Sequence, residues 1–448
     1  MRTKYSWILA IATVIAIVLT LALIIGYRWH ALRRQADSTY LSLLSESYAA
    51  VKKHYVEKPD GQKLVKSMVD GMLASLDPHS AYLPPEPYKE MEVQISGAFG
   101  GVGIELGMKD GRLIVIAPID DTPAFRAGIH PNDNIWKIDG ITTRGMTIPA
   151  AVKLMRGERG TPVTLGILRN GNPQLLTFNL VRDIIKVKSI KTRMLASGYG
   201  LIRIAQFQER TGSEFRQGLK ELNAAAGGTL KGLVIDLRYN PGGLLGPAVE
   251  VANCFIGDDI NDTLIVSTKG RTPESNLAYH ASLGTKEPHY PIVVLVNGGS
   301  ASASEIVAGA LQDHRRAVVM GRQSFGKGSV QTIYPLPGNA ALKLTTARYY
   351  TPSGRSIQAR GIVPDVEVGN GRPVDTSDPK EIKIREADLG NRLAPDEKDK
   401  AGGATTEPPS AAAGGTESDL DRDNQLKRAL DLLKSLVLVR EQGLMPPK

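Results

Sequence analysis

The residues best suited to chemistry are a serine and a lysine within one strand-helix-strand unit, residues 291–333. Pro291–Asn297 is a short, β-branched apolar run, which predicts a buried strand. After a glycine pair the chain opens a helix, with Ser302 and Glu305 at the spacing of a capping box. Ser302 therefore lies where a strand turns into a helix.

A serine in that position has two interpretations. Backbone N–H groups at a helix N-terminus lack partners and the helix dipole favours negative charge, so an oxyanion formed beside the Ser302 hydroxyl would be stabilised. Serine is also a preferred N-cap residue, and the position alone favours plain capping over nucleophilic catalysis.

The lysine downstream favours the catalytic interpretation of Ser302. Lys327 stands between two glycines, just before a β-branched run. In an extended chain alternate side chains share a face, so Lys327, Ser329 and Gln331 would point the same way and Gln331 could hold the amine. Burial disfavours an ammonium, and a neutral amine can act as general base toward a serine. The two residues together predict serine-lysine hydrolytic chemistry.

A nucleotide site is excluded, although part of this segment has its spacing. Gly321, Gly326 and Lys327 match most of the phosphate-binding G-x-x-x-x-G-K-[ST] loop. Gly328, however, occupies the position of the hydroxyl that reaches Mg²⁺, and a strand is predicted where that loop needs a helix.

The chain resembles the carboxyl-terminal processing (tail-specific) peptidases, S41-family serine proteases with a Ser-Lys dyad and a PDZ domain. The likeness runs from about residue 40 to 370. The blocks that carry it are S-A-S-A-S-E at Ser300–Glu305, F-G-K-G-x-V-Q at Phe325–Gln331, D-L-R-x-N-x-G-G at Asp236–Gly243, Y-T-P-S-G at Tyr350–Gly354 and G-I-V-P-D at Gly361–Asp365.

The resemblance implies a role for each matching position. Ser302 would be the nucleophile, Lys327 the general base and Gln331 the residue that orients the lysine. The oxyanion hole would be the backbone N–H groups of Gly243 and Ala303. The implied activity is that of a serine endopeptidase that degrades or processes proteins from their C-terminal tails, with no metal and no other cofactor.

The pattern of residues 96–183 predicts the PDZ module, which is β-rich and contains two helices. Such domains bind an extended peptide as an added strand and capture its terminal carboxylate with loop N–H groups. Gly101, Val102, Gly103 and Ile104 are the predicted peptide-binding residues, and a tight turn is the structural alternative for the glycines. A strand and not a helix follows them, so this is not a dinucleotide-binding loop.

The N-terminal segment predicts a membrane anchor. Trp7–Tyr27 contains no charge and is long enough to cross a bilayer core of about 30 Å. No small-residue cleavage site follows, which favours an uncleaved anchor over a removed signal. Basic residues lie on both sides, so the residues leave the orientation open. The resemblance implies the bacterial cell envelope, in the inner membrane facing the periplasm, or in the periplasm if the segment is cleaved.

Charge and cysteine content exclude other classes. The net charge is +9, but five basic residues precede the first acidic residue, Asp37, so much of the excess flanks the predicted anchor. No aromatic and basic patch of the kind that binds nucleic acid is present. Cys254 is the single cysteine, so the chain forms no intrachain disulfide.

Alternation of strands and helices after Gly198 predicts an α/β core, which the resemblance implies is crotonase/ClpP-like. The predicted protein is thus multidomain α/β. Its predicted parts are an anchor or signal at 1–34, a helical region at 35–95, the PDZ domain at 96–183, the protease core at 184–370 with contributions from 70–95, a flexible linker at 371–419 and a helix at 420–448. That last helix is amphipathic, and we expect it to dock on its own core or on another subunit.

Two other functions stay open at this point. One is a PDZ scaffold on the same fold that binds peptides without cutting them. The other is a Ser-His-Asp protease, but no histidine lies in such a motif, and His79, with no paired acidic partner, is given a structural role. The resemblance further implies polypeptide substrates with accessible C-termini, among them envelope proteins or cell-wall hydrolases, together with a homo-oligomer and an adaptor protein.

Overall fold

The computed structural model describes residues 19–22, 27, 38–169, 174–257, 262–284, 286–369, 384–394 and 423–442. The chain divides into two compact units, Met1–Ser75 and Leu76–Lys448. Within the described ranges no helix has the length and apolar character needed to cross a membrane. The predicted transmembrane helix lies almost wholly outside those ranges, as does most of the predicted linker.

The first unit is helical where it is described, in keeping with the predicted helical region. Residues 38–54 form helix α1, and α2 spans Gly61–Ala74. Asp60 caps α2 by accepting hydrogen bonds from the backbone N–H groups of Gln62 (2.8 Å) and Lys63 (3.3 Å).

The second unit begins with a short connection into the predicted PDZ module. Strand β1 (Ala81–Leu83), helix α3 (Pro85–Ser96) and strand β2 (Ala98–Gly101) precede the module. The module's antiparallel sheet contains β3 (Ile104–Lys109), β4 (Arg112–Pro118), β5 (Asn134–Ile138), β6 (Ile141–Thr142), β7 (Pro162–Leu168) and β8 (Leu176–Val181), with helices α4 (Pro123–Arg126) and α5 (Ile148–Met155). The strand order β3-β4-β5-β7-β8 leaves β3 at an edge. Strand β9 (Asp183–Lys186) pairs with β2 and leads out of the module.

The α/β core is built on a six-stranded sheet. Its strands are β10 (Ile190–Ala196), β11 (Tyr199–Ile204), β12 (Gly232–Asp236), β15 (Ile292–Val296), β16 (Val318–Gly321) and β19 (Val366–Glu367), in that order across the sheet. Only β10 runs antiparallel to its neighbour. A parallel sheet needs both faces covered by other elements.

Helices cover the two faces of this sheet. On one face lie α6 (Thr211–Ala225), α7 (Leu245–Asn253) and α8 (Ala303–Asp313), packed on alternate residues such as Ile235 and Val294. On the other lies the C-terminal helix α9 (Asn424–Glu441), packed on Val234, Val293 and Leu295. The prediction that this helix docks on its own core is confirmed.

A second, antiparallel sheet completes the core. It contains β1, β13 (Leu264–Gly270), β14 (Ala278–His280), β17 (Ser329–Leu336) and β18 (Ala340–Tyr350). Strands β17 and β18 form a hairpin whose register shifts between Val330 and Gln331. The predicted multidomain α/β architecture is therefore confirmed for the second unit.

Candidate functional site

The candidate site lies where three neighbouring parallel strands end. Strands β12, β15 and β16 run side by side in the same direction. Their C-terminal ends lead to Gly243, Ser302 and Lys327, respectively. Because the carboxyl ends of parallel strands meet at one edge of a sheet, the fold places all three loops together.

Ser302 differs from the two serines beside it. The Ser300 hydroxyl donates to the Leu237 carbonyl (2.8 Å) and the Ser304 hydroxyl donates to the Asn240 carbonyl (3.0 Å), so both anchor the turn to the neighbouring loop. Among the described residues the Ser302 hydroxyl donates to no backbone carbonyl, and its φ of 55° and ψ of −112° are unusual for a residue other than glycine. A strained turn that presents one serine hydroxyl is typical of a nucleophile position.

Two unpaired backbone donors lie beside Ser302. A Cβ atom built on Gly242 would be 2.8 Å from the Ser302 Cβ and 3.0 Å from the Ala303 nitrogen, which shows how close the glycine turn lies to the start of α8. Within the described part of the chain, neither the Gly243 N–H nor the Ala303 N–H donates a hydrogen bond. The two predicted oxyanion-hole groups are thus free to donate hydrogen bonds to a ligand oxygen.

Glu305 links the serine turn to the lysine loop. Its fully buried carboxylate accepts hydrogen bonds from the N–H groups of Ser302 (2.7 Å), Gly326 (2.7 Å) and Lys327 (2.9 Å), and from the Ser324 hydroxyl. The predicted capping-box pair is therefore present, and Glu305 extends it to a second segment. Burial raises the pKa of Glu305 to about 7, against these hydrogen bonds, which lower it.

The Lys327 side chain is half-buried and its pKa is lowered. Burial is the main cause, and the positive charge of Lys343 adds to it. The carboxylates of Glu386, Glu305 and Asp77 act in the opposite direction. A lowered pKa is what a lysine needs to act as a general base near neutral pH.

The lysine and the serine are not joined in this arrangement. Among the described residues, no hydrogen bond connects the Ser302 hydroxyl with the Lys327 amine. The Ser302 side chain is instead hydrogen-bonded to Tyr349. Burial raises the pKa of Tyr349 to about 12, and the hydrogen bond with Ser302 acts against that rise. Sequence reasoning did not find Tyr349, because nothing in its pattern separates it from other strand residues.

Among the described residues, no hydrogen bond joins Gln331 to Lys327. Its amide donates to the hydroxyls of Ser329 (3.0 Å) and Thr345 (3.3 Å). Strand β17 begins only at Ser329, so the alternation that predicted a shared face does not reach back to Lys327. Thr345 in turn donates to the Asp77 carboxylate (3.0 Å), which ties Gln331 to the segment before β1.

The interpretation of His79 as lacking an acidic partner is wrong. Its Nε2 atom lies 2.7 Å from Glu386 Oε2 and 2.9 Å from Glu386 Oε1. Glu386 comes from residues 384–394, within the predicted linker, where the absence of an apolar period gave no sign of a buried residue. No group of His, Cys, Asp and Glu side chains suited to hold a metal ion occurs in the described ranges.

The predicted peptide-binding residues lie between β2 and β3. Gly101 ends β2, Ile104 begins β3, and Gly103 has a φ of 79°. The N–H groups of Val102 and Gly103 donate to no acceptor within the described residues. The loop thus offers free donors at one end of an open strand edge, the arrangement that captures a chain terminus.

Comparison with known proteins identifies two matching families. A sequence model of peptidase family S41 matches residues 198–368, and a model of the PDZ domain matches residues 100–180. The chain is similar to the carboxy-terminal-processing protease of Bartonella bacilliformis, at 46% identity over 402 residues and 89% of each chain. It is also similar to the carboxy-terminal processing protease CtpB of Bacillus subtilis, at 33% identity over 79% of this chain and 75% of that one. Among solved structures, the photosystem II D1 C-terminal processing protease matches with a TM-score of 0.41 and 29% identity, over 73% of this chain and 92% of that one.

Proposed function

This chain belongs to peptidase family S41 as a carboxy-terminal processing serine protease with a PDZ domain, and we propose that Ser302 is its nucleophile and Lys327 its general base. The observation that carries the proposal is the meeting of three strand ends, which sets Ser302 beside the free N–H groups of Gly243 and Ala303 and near a lysine of lowered pKa. The family relationship favours this activity over a scaffold that only binds peptides.

In the proposed reaction the neutral Lys327 amine takes the hydroxyl proton as Ser302 Oγ bonds to the scissile carbonyl carbon. The carbonyl π electrons move to oxygen, where the N–H groups of Gly243 and Ala303 stabilise the negative charge. Collapse of this intermediate breaks the C–N bond, and the Lys327 ammonium gives its proton to the leaving amine. Water then attacks the acyl carbon while Lys327 accepts its proton. The ester bond to Ser302 Oγ breaks, Lys327 returns the proton to that oxygen, and the carboxylic acid product leaves.

Proton transfer requires the serine oxygen and the lysine nitrogen to lie about 2.6–3.2 Å apart. Since no hydrogen bond joins them here, we infer that substrate binding brings them together. Gln331, through Thr345, would hold the strand next to the lysine during this movement.

The test is cleavage of an unfolded protein with a free C-terminal tail. Ser302→Ala and Lys327→Ala should each lower turnover at least about a thousandfold, because each removes a group that acts with the other as a unit. Ser213→Ala and Lys220→Ala, at exposed positions of α6, are matched controls and should keep full activity. Unimpaired turnover in either site variant with a correctly folded chain rejects the dyad.

We further propose that the PDZ module receives the substrate's tail. The tail would add as a strand to the open edge of β3, and the N–H groups of Val102 and Gly103 would bind its carboxylate. Gly101 and Ile104 would shape the two ends of this loop.

The proposed location is the bacterial cell envelope, with residues 7–27 anchoring the chain in the inner membrane and the protease facing the periplasm. The uncharged length of that segment supports the proposal. Envelope proteins or cell-wall hydrolases would be substrates, and a homo-oligomer and an adaptor would be partners. Fractionation of cells into membrane and periplasmic proteins tests the anchor, and recovery in the periplasm without residues 1–34 would show cleavage instead.

A further inference from the structure

A short segment from beyond the catalytic core packs on the lysine loop, Phe325–Gly328. It comprises residues 384–394, which we call the clasp, and it holds a short 3-10 helix at Glu386–Asp388. The clasp makes two hydrogen bonds, one to the lysine loop and one to Gln323, which lies just before that loop. The Glu386 N–H donates to the Phe325 carbonyl (3.2 Å), and the Arg385 guanidinium donates to the Gln323 side chain (2.9 Å).

The Glu386 side chain is completely buried at this contact. Its carboxylate bonds to His79 at 2.7 and 2.9 Å and accepts a hydrogen bond from the Gln358 amide at 2.9 Å. A buried carboxylate is costly unless it is hydrogen-bonded, so these partners account for its presence.

Gln358 extends the contact to the other side of Lys327. Its side-chain oxygen accepts a hydrogen bond from the Gly328 N–H (3.1 Å), while its amide donates to Glu386. A Cβ atom on Gly328 would be 2.3 Å from the Gln358 nitrogen, so the two backbones are in direct contact. Glu386 therefore supports the lysine loop at Phe325 directly and at Gly328 through Gln358.

Glu386 is also a charge near the lysine. Burial works to raise its pKa, but the hydrogen bonds from His79 and Gln358 together with the charges of His79 and Lys327 outweigh burial, and its pKa lies below the ordinary value. It is thus a carboxylate at neutral pH. The charges that act on Lys327 are Glu386 from the clasp, Lys343 from β18, Glu305 from α8 and Asp77 from before β1. Those that act on Glu386 are His79 and Lys327.

We propose that Glu386 is a positioning residue of the peptidase reaction: its buried carboxylate, held by His79 and Gln358, fixes the lysine loop and stabilises the ammonium that Lys327 becomes when it takes the Ser302 proton. This role rests on the proposed function, in which Lys327 is the general base. The protease core is then incomplete without a segment that follows it in sequence. No atom of Glu386 touches the substrate, and no proton leaves it during the reaction.

The test compares Glu386→Gln with Asp388→Asn in the full chain. Both changes remove one negative charge from the clasp, but Asp388 is exposed, and among the described residues its carboxylate accepts only from the Arg385 N–H (2.9 Å), within the clasp. The measurements are kcat, KM and the pH profile of kcat/KM for cleavage of a tailed substrate, with Ser302→Ala and Lys327→Ala in the same assay. The thermal unfolding midpoint of each variant shows whether it is folded.

We expect Glu386→Gln to lower kcat roughly tenfold with KM unchanged, since the ammonium loses a stabilising charge while the substrate-binding surface is intact. Loss of that charge also lowers the pKa of Lys327 further, so the acid limb of the profile should move to lower pH by about one unit. Asp388→Asn should match the wild type in both measurements.

The outcomes separate this inference from the function on which it rests. If Lys327→Ala is inactive while Glu386→Gln matches Asp388→Asn, the dyad stands and the role of Glu386 is overturned. If Lys327→Ala keeps turnover, both proposals fail. Glu386→Asp gives an independent comparison, because it keeps the charge but shortens the reach.

If the role of Glu386 is electrostatic, Glu386→Asp should keep the acid limb of the pH profile at the wild-type pH. If its role is purely structural, Glu386→Asp should have a lower kcat than the isosteric Glu386→Gln. If Glu386→Gln does not fold, the Asp variant decides alone. An acid limb displaced to lower pH in Glu386→Asp would then overturn the proposal.

Discussion

Glu305 shows, at the residue scale, how one side chain can set the geometry of two others. Its carboxylate binds the backbone of Ser302 and of Lys327, so the turn that presents the nucleophile and the loop that carries the base share one anchor. That arrangement places a fully buried acid among N–H donors. Its charge state should therefore influence stability as well as catalysis.

The pH dependence of stability tests this point. Because folding raises the pKa of Glu305 from 4.5 to about 7, the folded chain holds the proton more tightly than the unfolded chain. The stabilisation is complete below pH 4.5 and is lost as the pH rises through about 7, an effect of about 3 kcal/mol. Glu305→Gln removes this titration, so its unfolding midpoint should fall less between pH 5 and pH 8 than that of the wild type, by roughly 5–10 °C. Equal slopes in the two proteins would contradict the assignment.

Gly243 is the second residue whose identity the site requires. Its φ is 140°, and a Cβ atom there would be 2.0 Å from the Phe207 carbonyl oxygen. Gly243→Ala should therefore displace the oxyanion N–H and lower kcat about a hundredfold or more. Gly246→Ala is the control, since its Cβ would meet no atom within 4 Å, and activity should be retained there. Comparable losses in both variants would show that the turn, and not the oxyanion position, is sensitive.

Sequence analysis identifies residues that belong to a short motif and misses residues that become neighbours only in the folded chain. Ser302 and Lys327 stand after recognisable strands, which allows their roles to be predicted, whereas the roles of the Gly243 and Ala303 N–H groups follow only from the family resemblance. Glu386 could not be predicted, because its partners His79 and Gln358 lie far away in sequence and its own surroundings are polar. A contact of that kind depends on tertiary packing, which the local pattern does not encode.

At the element scale, the C-terminal helix α9 packs on one face of the central sheet. Leu426, Leu430 and Leu433 are buried against the sheet, and Arg238 joins Asp423 at the helix start (2.6 Å) to Asp236 in β12 (2.9 Å). Asp236 also accepts a hydrogen bond from the Arg238 N–H (3.0 Å), so it supports the start of the following turn. Arg238 stands just before the turn that carries Gly243, so the helix also braces the oxyanion loop.

Replacing one buried and one exposed leucine of α9 by alanine tests whether this helix docks on the central sheet. Leu433 is fully buried, so Leu433→Ala should lower the free energy of unfolding by about 2–5 kcal/mol. Leu438 is 54% exposed, and Leu438→Ala should change it by no more than about 0.5 kcal/mol. Urea unfolding of both variants measures the difference. Indistinguishable curves would mean that α9 leaves this surface in solution.

The start of strand β17 shows how far an alternating pattern can predict which side chains share a face. The period of two groups Ser329 with Gln331, whose side chains are hydrogen-bonded, but strand β17 does not extend to Lys327. The position at which a strand begins depends on its partner, and β18 pairs with β17 only from Ser329 onward. Boundaries are the least reliable part of a sequence-based assignment for this reason.

At the scale of the whole second unit, the PDZ module and the core are joined by the β2–β9 pair. Gly101 at the end of β2 pairs with Asp183, and the chain then enters the loop of Val102 and Gly103 directly. The proposed carboxylate-binding loop is therefore one residue away from the junction with the core. A change in the loop when a substrate tail binds can therefore be transmitted to the core through this single strand pair.

The role of the tail carboxylate yields the final prediction. A substrate whose C-terminus is amidated should show a KM about ten- to a hundredfold higher than the free acid, because charge-assisted hydrogen bonds to the loop are lost, while kcat at saturation changes little. Gly103→Ala should abolish this preference, since its Cβ would lie 2.3 Å from Thr122 and the loop must shift. Gly111→Ala is the matched control, with a similar φ of 70° but no atom within 4 Å of its Cβ, and it should keep the preference. If the wild type cleaves the amide and the acid with equal KM, the PDZ loop does not read the carboxylate, and tail recognition must depend on the added strand alone.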